Sequence, residues 1–319
     1  MKTITLRPIE IERDFGQLAE LFTREQNEPT TEPALREDYE THKERIIRLM
    51  AAEDEAGKLL GFNWGTRSRF DAGEAYFYVI VKPEHRRQGA GSSLYEDFLQ
   101  IAREAGVKKL QVSVRDDSPD SRSFADRRGF TEHAHSLAME LNLDDFDDQP
   151  YDAVIERLKG EGFRFTTMEE LGDTIEARQR LYALNDTAAS ETPGSEGAHP
   201  WLSFEDFQRT VCETNWYKPD GQFVVIDNAS GEWAAMSAIT RFEGADYAYN
   251  LFTGVDKRYR GRKLAQAVKA LALHHARTVL KVNTVRTDHN ALNLPMLAID
   301  RKFGYVPAPG MFRMEKTIE

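Results

Sequence analysis

The chain has 319 residues, 40% hydrophobic and 30% charged, with 21 glycines and 12 prolines, which places it among soluble globular chains and excludes collagen-like or wholly disordered ones. At roughly 100–200 residues per domain, the length predicts two domains rather than one. Lysines and arginines number 42 against 53 aspartates and glutamates, and the net charge of −11 repels phosphate backbones, arguing against nucleic acid as the main partner.

In chain order, Thr3–Arg7 alternates like a strand, and Phe15, Leu18, Ala19 and Phe22 then recur at helical spacing. Ile47–Glu53 and Lys58–Thr66 read as a hairpin around Gly57. The apolar run Tyr76–Val81 reads as a buried strand; it is far short of the roughly 20 residues that cross a bilayer, so no membrane span is expected. Arg86-Arg87-Gln88-Gly89-Ala90-Gly91 follows it and opens a helix with Leu94, Phe98 and Ile101 on one face, and Arg128-Gly129-Phe130 ends a later short helix. The acidic stretch Asp144–Pro150 marks the expected boundary between domains 1–148 and 149–319.

The second half repeats the order. Phe163–Thr167 reads as a strand and Leu171–Asn185 as a helix; the polar loop Thr187–Pro200 is long enough for a substrate lid or an ordinary surface excursion. Gln222–Ile226 and Trp233–Arg241 form a hairpin, and Tyr247–Val255 leads into Arg260-Gly261-Arg262-Lys263-Leu264-Ala265 and a helix carrying Val268, Leu271 and His275. Arg86 and Arg260 are 174 residues apart, and Gly129 and Gly304 are 175 apart, so the two halves keep their spacing to a second landmark. A helix of this length after each arginine turn is the natural crossover between parallel strands, which predicts a mixed α/β sheet in each half.

A glycine-containing strand-to-helix turn lets several backbone N–H groups point at one spot, where the positive helix end attracts an anion. Neither G-x-G-x-x-G nor G-x-x-x-x-G-K-[ST] is present, so the dinucleotide and nucleoside-triphosphate fingerprints are absent. The turns resemble the pyrophosphate loop of the GNAT acyltransferases, which reads Arg or Gln, two residues, Gly, one residue, then Gly or Ala. Arg86, Gly89 and Gly91 match it; Arg260 and Ala265 match in the second copy, where Lys263 stands at the first glycine. Thr253-Gly254-Val255 and Thr287–Met296, leading to Phe303-Gly304-Tyr305, extend the likeness over nearly the whole chain, which looks most like the bacterial tandem-GNAT proteins, a group that includes mycothiol synthase-like acetyltransferases.

That resemblance implies two tandem acyl-CoA N-acyltransferase domains, acetyl-coenzyme A as cofactor, and direct transfer of acetyl to a primary amine of a small molecule. In each copy two parallel strands would splay apart to admit the pantetheine arm: Tyr76–Val81 with Lys109–Val114, and Tyr247–Val255 with Val282–Thr287. Implied cofactor-binding residues are Val79, Val81, Arg86, Arg87, Gln88, Gly89, Ala90, Gly91 and Ser92 in the first copy, and Thr253, Val255, Arg260, Gly261, Arg262, Lys263, Leu264 and Ala265 in the second, with Asn290 and Asn293 nearby. Helix capping is the other role for Asn293. The base that takes the amine's proton has no motif; Glu74, Tyr76 and Tyr78 in the first copy and Asp246, Tyr247 and Asn250 in the second are the candidates.

Many family members carry a tyrosine five residues before the final aromatic to protonate the leaving thiolate; this chain has Ala125 and Asp300 there. The alternative reading is therefore a non-catalytic acyl-CoA sensor or scaffold with a degenerate site. Cys212, the one cysteine, allows no internal disulfide and is expected to be a small buried residue. Arg7, Glu10, Glu12, Arg13 and Asp14 stand where an export signal needs its apolar stretch, which with the lone cysteine predicts a cytoplasmic protein. His274 and His275 lack metal-ligand spacing, and no metal is expected. The acceptor amine and the oligomeric state are not specified by the sequence.

Overall fold

The computed structural model describes residues 3–26 and 29–319. The chain forms, in order, β1 (Thr5–Pro8), α1 (Ile11–Glu25), α2 (Glu32–His42), β2 (Ile46–Glu53), β3 (Leu59–Arg67), β4 (Glu74–Val81), α3 (Ala90–Glu104), β5 (Lys109–Arg115), α4 (Pro119–Asp126) and β6 (Thr131–Asn142). There follow α5 (Gln149–Gly160), β7 (Phe163–Thr167), α6 (Ile175–Ser190), α7 (Phe204–Phe207), β8 (Gln222–Asp227), β9 (Trp233–Thr240), β10 (Ala248–Val255), α8 (Leu264–Thr278), β11 (Thr284–Asn290), α9 (Leu294–Phe303) and β12 (Val306–Thr317). This is a mixed α/β architecture, and it divides into two compact units.

The first unit runs to His135 and includes Pro309–Glu319. Its strands β1, β2, β3 and β4 are successive antiparallel neighbours, β4 pairs in parallel with β5, and residues 311–317 of β12 pair antiparallel with β5. The apolar positions of α1 all fall on one face: Phe15, Leu18, Ala19 and Phe22 are buried against Phe62 and Trp64 of β3. On α3, Leu94, Phe98 and Ala102 do the same, with Phe98 stacked on Phe77 at a ring distance of 4.5 Å.

The second unit, Ser136–Ala308, repeats this order. Strands β7, β8, β9 and β10 are antiparallel neighbours, β10 pairs in parallel with β11, and residues 136–142 of β6 pair antiparallel with β11. Each unit thus takes its last strand from the segment that follows the other unit's equivalent helix, which differs from a division at residue 148. The acidic stretch is likewise not a free linker: Leu143 and Phe146 are buried in the second unit's core, and Pro150 sits in the first turn of α5, where its missing N–H costs nothing.

The arginine turn has the same backbone shape in both units. In the first, Arg87 and Gly89 take positive φ values of 62° and 102°; in the second, the equivalent Gly261 and Lys263 take 81° and 71°. Each turn therefore places one glycine and one long side chain at its two left-handed positions, in opposite order. Only the glycines adopt this region without a steric penalty; another residue costs roughly 1–2 kcal/mol. Lys263→Gly is expected to raise the thermal midpoint of the second unit by about 2–4 °C, and Gly261→Ala to lower it by a similar amount, read by calorimetry.

Candidate functional site

In the first unit β4 and β5 are paired only from Glu74 to Tyr76 and from Lys109 to Gln111, after which they part. In the second, β10 and β11 pair at Ala248 and Tyr249 with Val285 and Arg286, then part in the same way. The bonds from Ser68 N–H to Glu74 O and from Lys82 N–H to Leu60 O fix the phase of the β3–β4 ladder, so the main-chain groups of Phe77, Val79 and Val81 face the opening. Asp256 N–H to Ala234 O sets the same phase for β10 and turns Thr253 and Val255 to its opening.

A cleft of about 350 Å³ lies in the first opening, walled by Phe77, Val79, Val112 and Phe124, with Arg86, Arg87, Gly89, Gly91 and Ser92 along its turn. Ser93 N–H bonds to Gly89 O, so the N–H groups of Ala90, Gly91 and Ser92 stand ahead of the first bond of α3 without an intrahelical acceptor. A Cβ built on Gly91 would come to 3.2 Å from the Phe124 ring, so the glycine keeps the passage between turn and wall open. Apolar walls, one unpaired strand edge and a cluster of helix-end amides suit a long thin ligand with a polar backbone and a phosphorylated end.

The arginines of the turns act first on the fold. Arg86 Nε donates to Val81 O at 3.0 Å and its Nη2 pairs with Glu25; Arg260 repeats both, with Val255 O at 3.1 Å and Glu191 at 2.6 Å. Arg87 pairs with Asp120, and Gln88 donates to Glu84 O. Arg262 lies near the rings of Phe163 and Tyr259, Leu264 is buried, and Lys263 stands at the N-cap position of α8 without a side-chain capping bond, with Ala265 inside the first turn. Sequence reasoning missed Arg128, which lines the cleft, stacks on Phe124 at 3.5 Å and donates to Ser92 Oγ at 2.8 Å. Burial holds its guanidinium below its ordinary pKa.

The second opening is polar. Strand β10 carries a bulge, with Asn250 opposite Ile239 and Phe252 opposite Ala238, which leaves Leu251 without a partner in the β9 register. Asn250 is buried and donates to Ser237 Oγ and Ala238 O, accepts from Thr253 Oγ1, and its carbonyl accepts from Thr287 Oγ1 at 3.0 Å. Asp288 accepts from the hydroxyls of Tyr249 and Ser136. Beneath these, the fully buried Lys269 and Asp300 form an ion pair, and His289 Nε2 meets the other oxygen of Asp300 at 2.6 Å. The charged pair was not singled out from sequence; offsetting the chain against itself by 174 and 175 residues would have shown it.

The other expected residues fall as follows. Glu74 lies at the paired end of β4, its carboxylate engaged by Lys109 and Gln111, and Tyr76 is half exposed beside it. Tyr78 lines the first cleft with its ring edge-on to Phe22 at 5.0 Å, and burial raises its hydroxyl pKa. Asp246 is exposed in the turn before β10, and Tyr247 is buried with the Arg286 guanidinium 4.0 Å from its ring. Asn293 caps α9 through Met296 N–H, and Asn290 donates to Gly194 O at 3.1 Å, tying the Thr187–Pro200 loop to β11. Cys212 is buried, its thiol pushed up to about 12 by burial, and has no role as a nucleophile. Among the described residues no cluster of three His, Cys, Asp or Glu could hold a metal ion, and no helix is long and apolar enough to cross a membrane.

The sequence profile of the Acetyltransferase (GNAT) family matches this chain twice, at residues 15–130 and 178–305. The chain is 26% identical over 74% of its length to a mycothiol acetyltransferase of Mycolicibacterium vanbaalenii, covering 70% of that protein. It is 27% identical over 82% of its length to one of Saccharomonospora viridis, covering 80%. Among solved structures, a tandem GNAT protein from the clavulanic acid biosynthesis pathway superposes with a TM-score of 0.73 at 18% identity, over 99% of this chain and 98% of that one. A GCN5-related N-acetyltransferase from Sphaerobacter thermophilus gives 0.71 at 15% identity, over 98% and 95%.

Burial opposes ionisation of Asp300, but the Lys269 ammonium and the bond from His289 outweigh it and hold the carboxylate below its usual range. The stability this provides is complete above the ordinary carboxylate pKa of about 4 and is lost as pH falls through the lowered folded value. Lys269→Met, which leaves Asp300 buried without its cation, is expected to cost about 3–5 kcal/mol at neutral pH, measured by urea unfolding.

Proposed function

This chain belongs to the acetyltransferase (GNAT) family and is an acetyltransferase; we propose that it moves acetyl from acetyl-coenzyme A to a primary amine of a small molecule by direct attack. The observation that carries the reading is the cleft between β4 and β5, where an unpaired strand edge, apolar walls and the helix-end amides of the arginine turn meet along one passage. When bound, acetyl-coenzyme A supplies an activated acetyl thioester. The Phe77 carbonyl, both main-chain groups of Val79 and the Val81 N–H are offered to the pantetheine arm, and Ala90, Gly91 and Ser92 offer N–H groups to its pyrophosphate. Thr253, Val255 and the turn from Arg260 to Ala265 hold the corresponding places in the second unit.

The second unit carries the chemistry in this reading. Its bulge at Leu251 turns main-chain groups out of the ladder, where an N–H can stabilise the negative charge that develops on a thioester oxygen, an effect worth a few kcal/mol. Asn250, held by four hydrogen bonds, fixes that backbone rather than exchanging protons. The mycothiol acetyltransferase names of the relatives support acetyl transfer involving a small molecule. A non-catalytic, acyl-CoA-binding role is favoured for the first unit alone, because Glu74 is consumed by Lys109 and Ala125 offers no proton at the cleft wall.

Acetyl-coenzyme A is expected to raise the thermal midpoint, and a panel of small amines to release free thiol from it. Gly91→Leu, which drives a side chain against Phe124, is expected to weaken first-unit binding at least tenfold by calorimetric titration while thiol release persists. Absence of any acetyl-coenzyme A binding to the parent protein overturns the reading.

A further inference from the structure

The duplication allows the second opening to be read position by position against the first. Helices α3 and α8 each have 15 residues, Ala90–Glu104 and Leu264–Thr278, so Tyr95 and Lys269 hold the same place. The parallel registers match Leu110 with Val285, which brings Val114 level with His289. Helices α4 and α9 begin at Pro119 and Leu294, so Ala125 matches Asp300, and Phe130 matches Tyr305. Tyr95, Val114, Ala125 and Phe130 all line the cleft of the first unit. The same four positions in the second unit are therefore lysine, histidine, aspartate and tyrosine.

These four are in contact. Asp300 bonds Lys269 through one oxygen and His289 Nε2 through the other, and the Lys269 ammonium lies 4.9 Å from the centre of the Tyr305 ring. Because Asp300 is an ionised acceptor, Nε2 must carry a proton, which leaves Nδ1 as the ring atom available to a reactant. Nδ1 has no hydrogen-bond partner among the described residues, and the side chain keeps 12% of its surface exposed while Asp300 and Lys269 keep none. Along β11, His289 stands three residues beyond the last parallel pair, about 10 Å into the opening and level with the bulge of β10.

We propose that His289 gives its Nδ1 proton to the sulfur that leaves in the second unit, with Asp300 and Lys269 as positioning residues that fix its tautomer. This rests on the acetyl-transfer reading above. As the amine nitrogen bonds to the acetyl carbon, the carbon–sulfur bond breaks with its electron pair on sulfur, and His289 supplies the proton. The nitrogen's proton goes to water and the imidazole is reprotonated from solvent, so amine and thioester give amide and thiol with no net proton change. The charged groups facing His289 are Asp300 from α9 and, behind it, Lys269 from α8. Its β6 neighbour is Leu137, and Asp288 points to the opposite face of β11, where Tyr249 and Ser136 hold it.

The test compares the parent with His289→Gln and with the triple variant Lys269→Tyr, His289→Val, Asp300→Ala, which copies the first cleft and stands in if the single variant fails to fold. Thiol release in the presence of an amine is expected to fall about 10²–10³-fold in kcat in either variant, with acetyl-coenzyme A affinity within twofold of the parent. A general acid works only while protonated, so the parent's kcat is expected to decline on the alkaline side, and that limb disappears in His289→Gln. In the ligand-free protein, imidazole ¹⁵N NMR is expected to show His289 protonated on Nε2, and Asp300→Asn to abolish that preference. Parent-like kcat and pH profile in a folded variant, or a proton on Nδ1 alone in the neutral ring, overturns the proposal while acetyl transfer stands. Failure of the parent to release thiol with any amine overturns both.

Discussion

A parallel strand pair that stops pairing after two or three residues exposes one edge of a central strand, and the rest of each site is built around that defect. Buried main-chain N–H and C=O groups without partners cost free energy comparable to a lost hydrogen bond. Each unit meets part of the cost locally. Arg86 and Arg260 return their Nε protons to the carbonyls of Val81 and Val255, the last open acceptors of β4 and β10. What stays open at Val79 in one unit and near Leu251 in the other is left to water or to a ligand that can act as a strand. The helix that follows each turn adds free amides at the far end, so a single irregularity gives both a slot and an anion seat.

Within that shared frame the two units diverge where a reacting group would lie. The first lines its cleft with Tyr95, Val114, Ala125 and Phe130, and the second replaces them with Lys269, His289, Asp300 and Tyr305. A buried ion pair rarely stabilises a fold more than well-packed apolar residues do. The first unit demonstrates that this fold accepts the apolar set, so stability gives no reason for the charged one. Proton transfer does, since it needs a titratable group held in one tautomer beside a water-poor opening.

The arginine turns, the helical face of α1 and the repeat itself were legible in the sequence because each depends on local spacing. The αL exchange explains why Lys263 can stand at a glycine position: Gly261 takes the conformation that Arg87 takes in the first turn, and the backbone path is unchanged. The repeat offset has a physical cause as well. Ala75 and Ala248 are 173 apart and Val81 and Val255 are 174 apart, and the extra residue is the bulge at Leu251. Strand exchange was not legible, because residues 136–142 and 311–317 are similar alternating runs and either could close either sheet. Nor was the Lys269–Asp300 pair, whose members are 31 residues apart and meet only after the crossover helix has packed.

The side chains of the turn arginines are already committed to carboxylates, to Glu25 in one unit and Glu191 in the other. An anion arriving at either turn must therefore compete with those carboxylates for the Arg86 and Arg260 guanidinium groups, while the backbone amides are open to it. The same pairs fix the C-terminal ends of α1 and α6 against the turns. Ligand binding that draws Arg260 away from Glu191 would release the end of α6 that it holds, which couples occupancy of the second slot to the segment after α6. In the second unit that segment is the loop tied to β11 by Asn290, so the turn, the loop and the strand bearing His289 form one connected set of contacts.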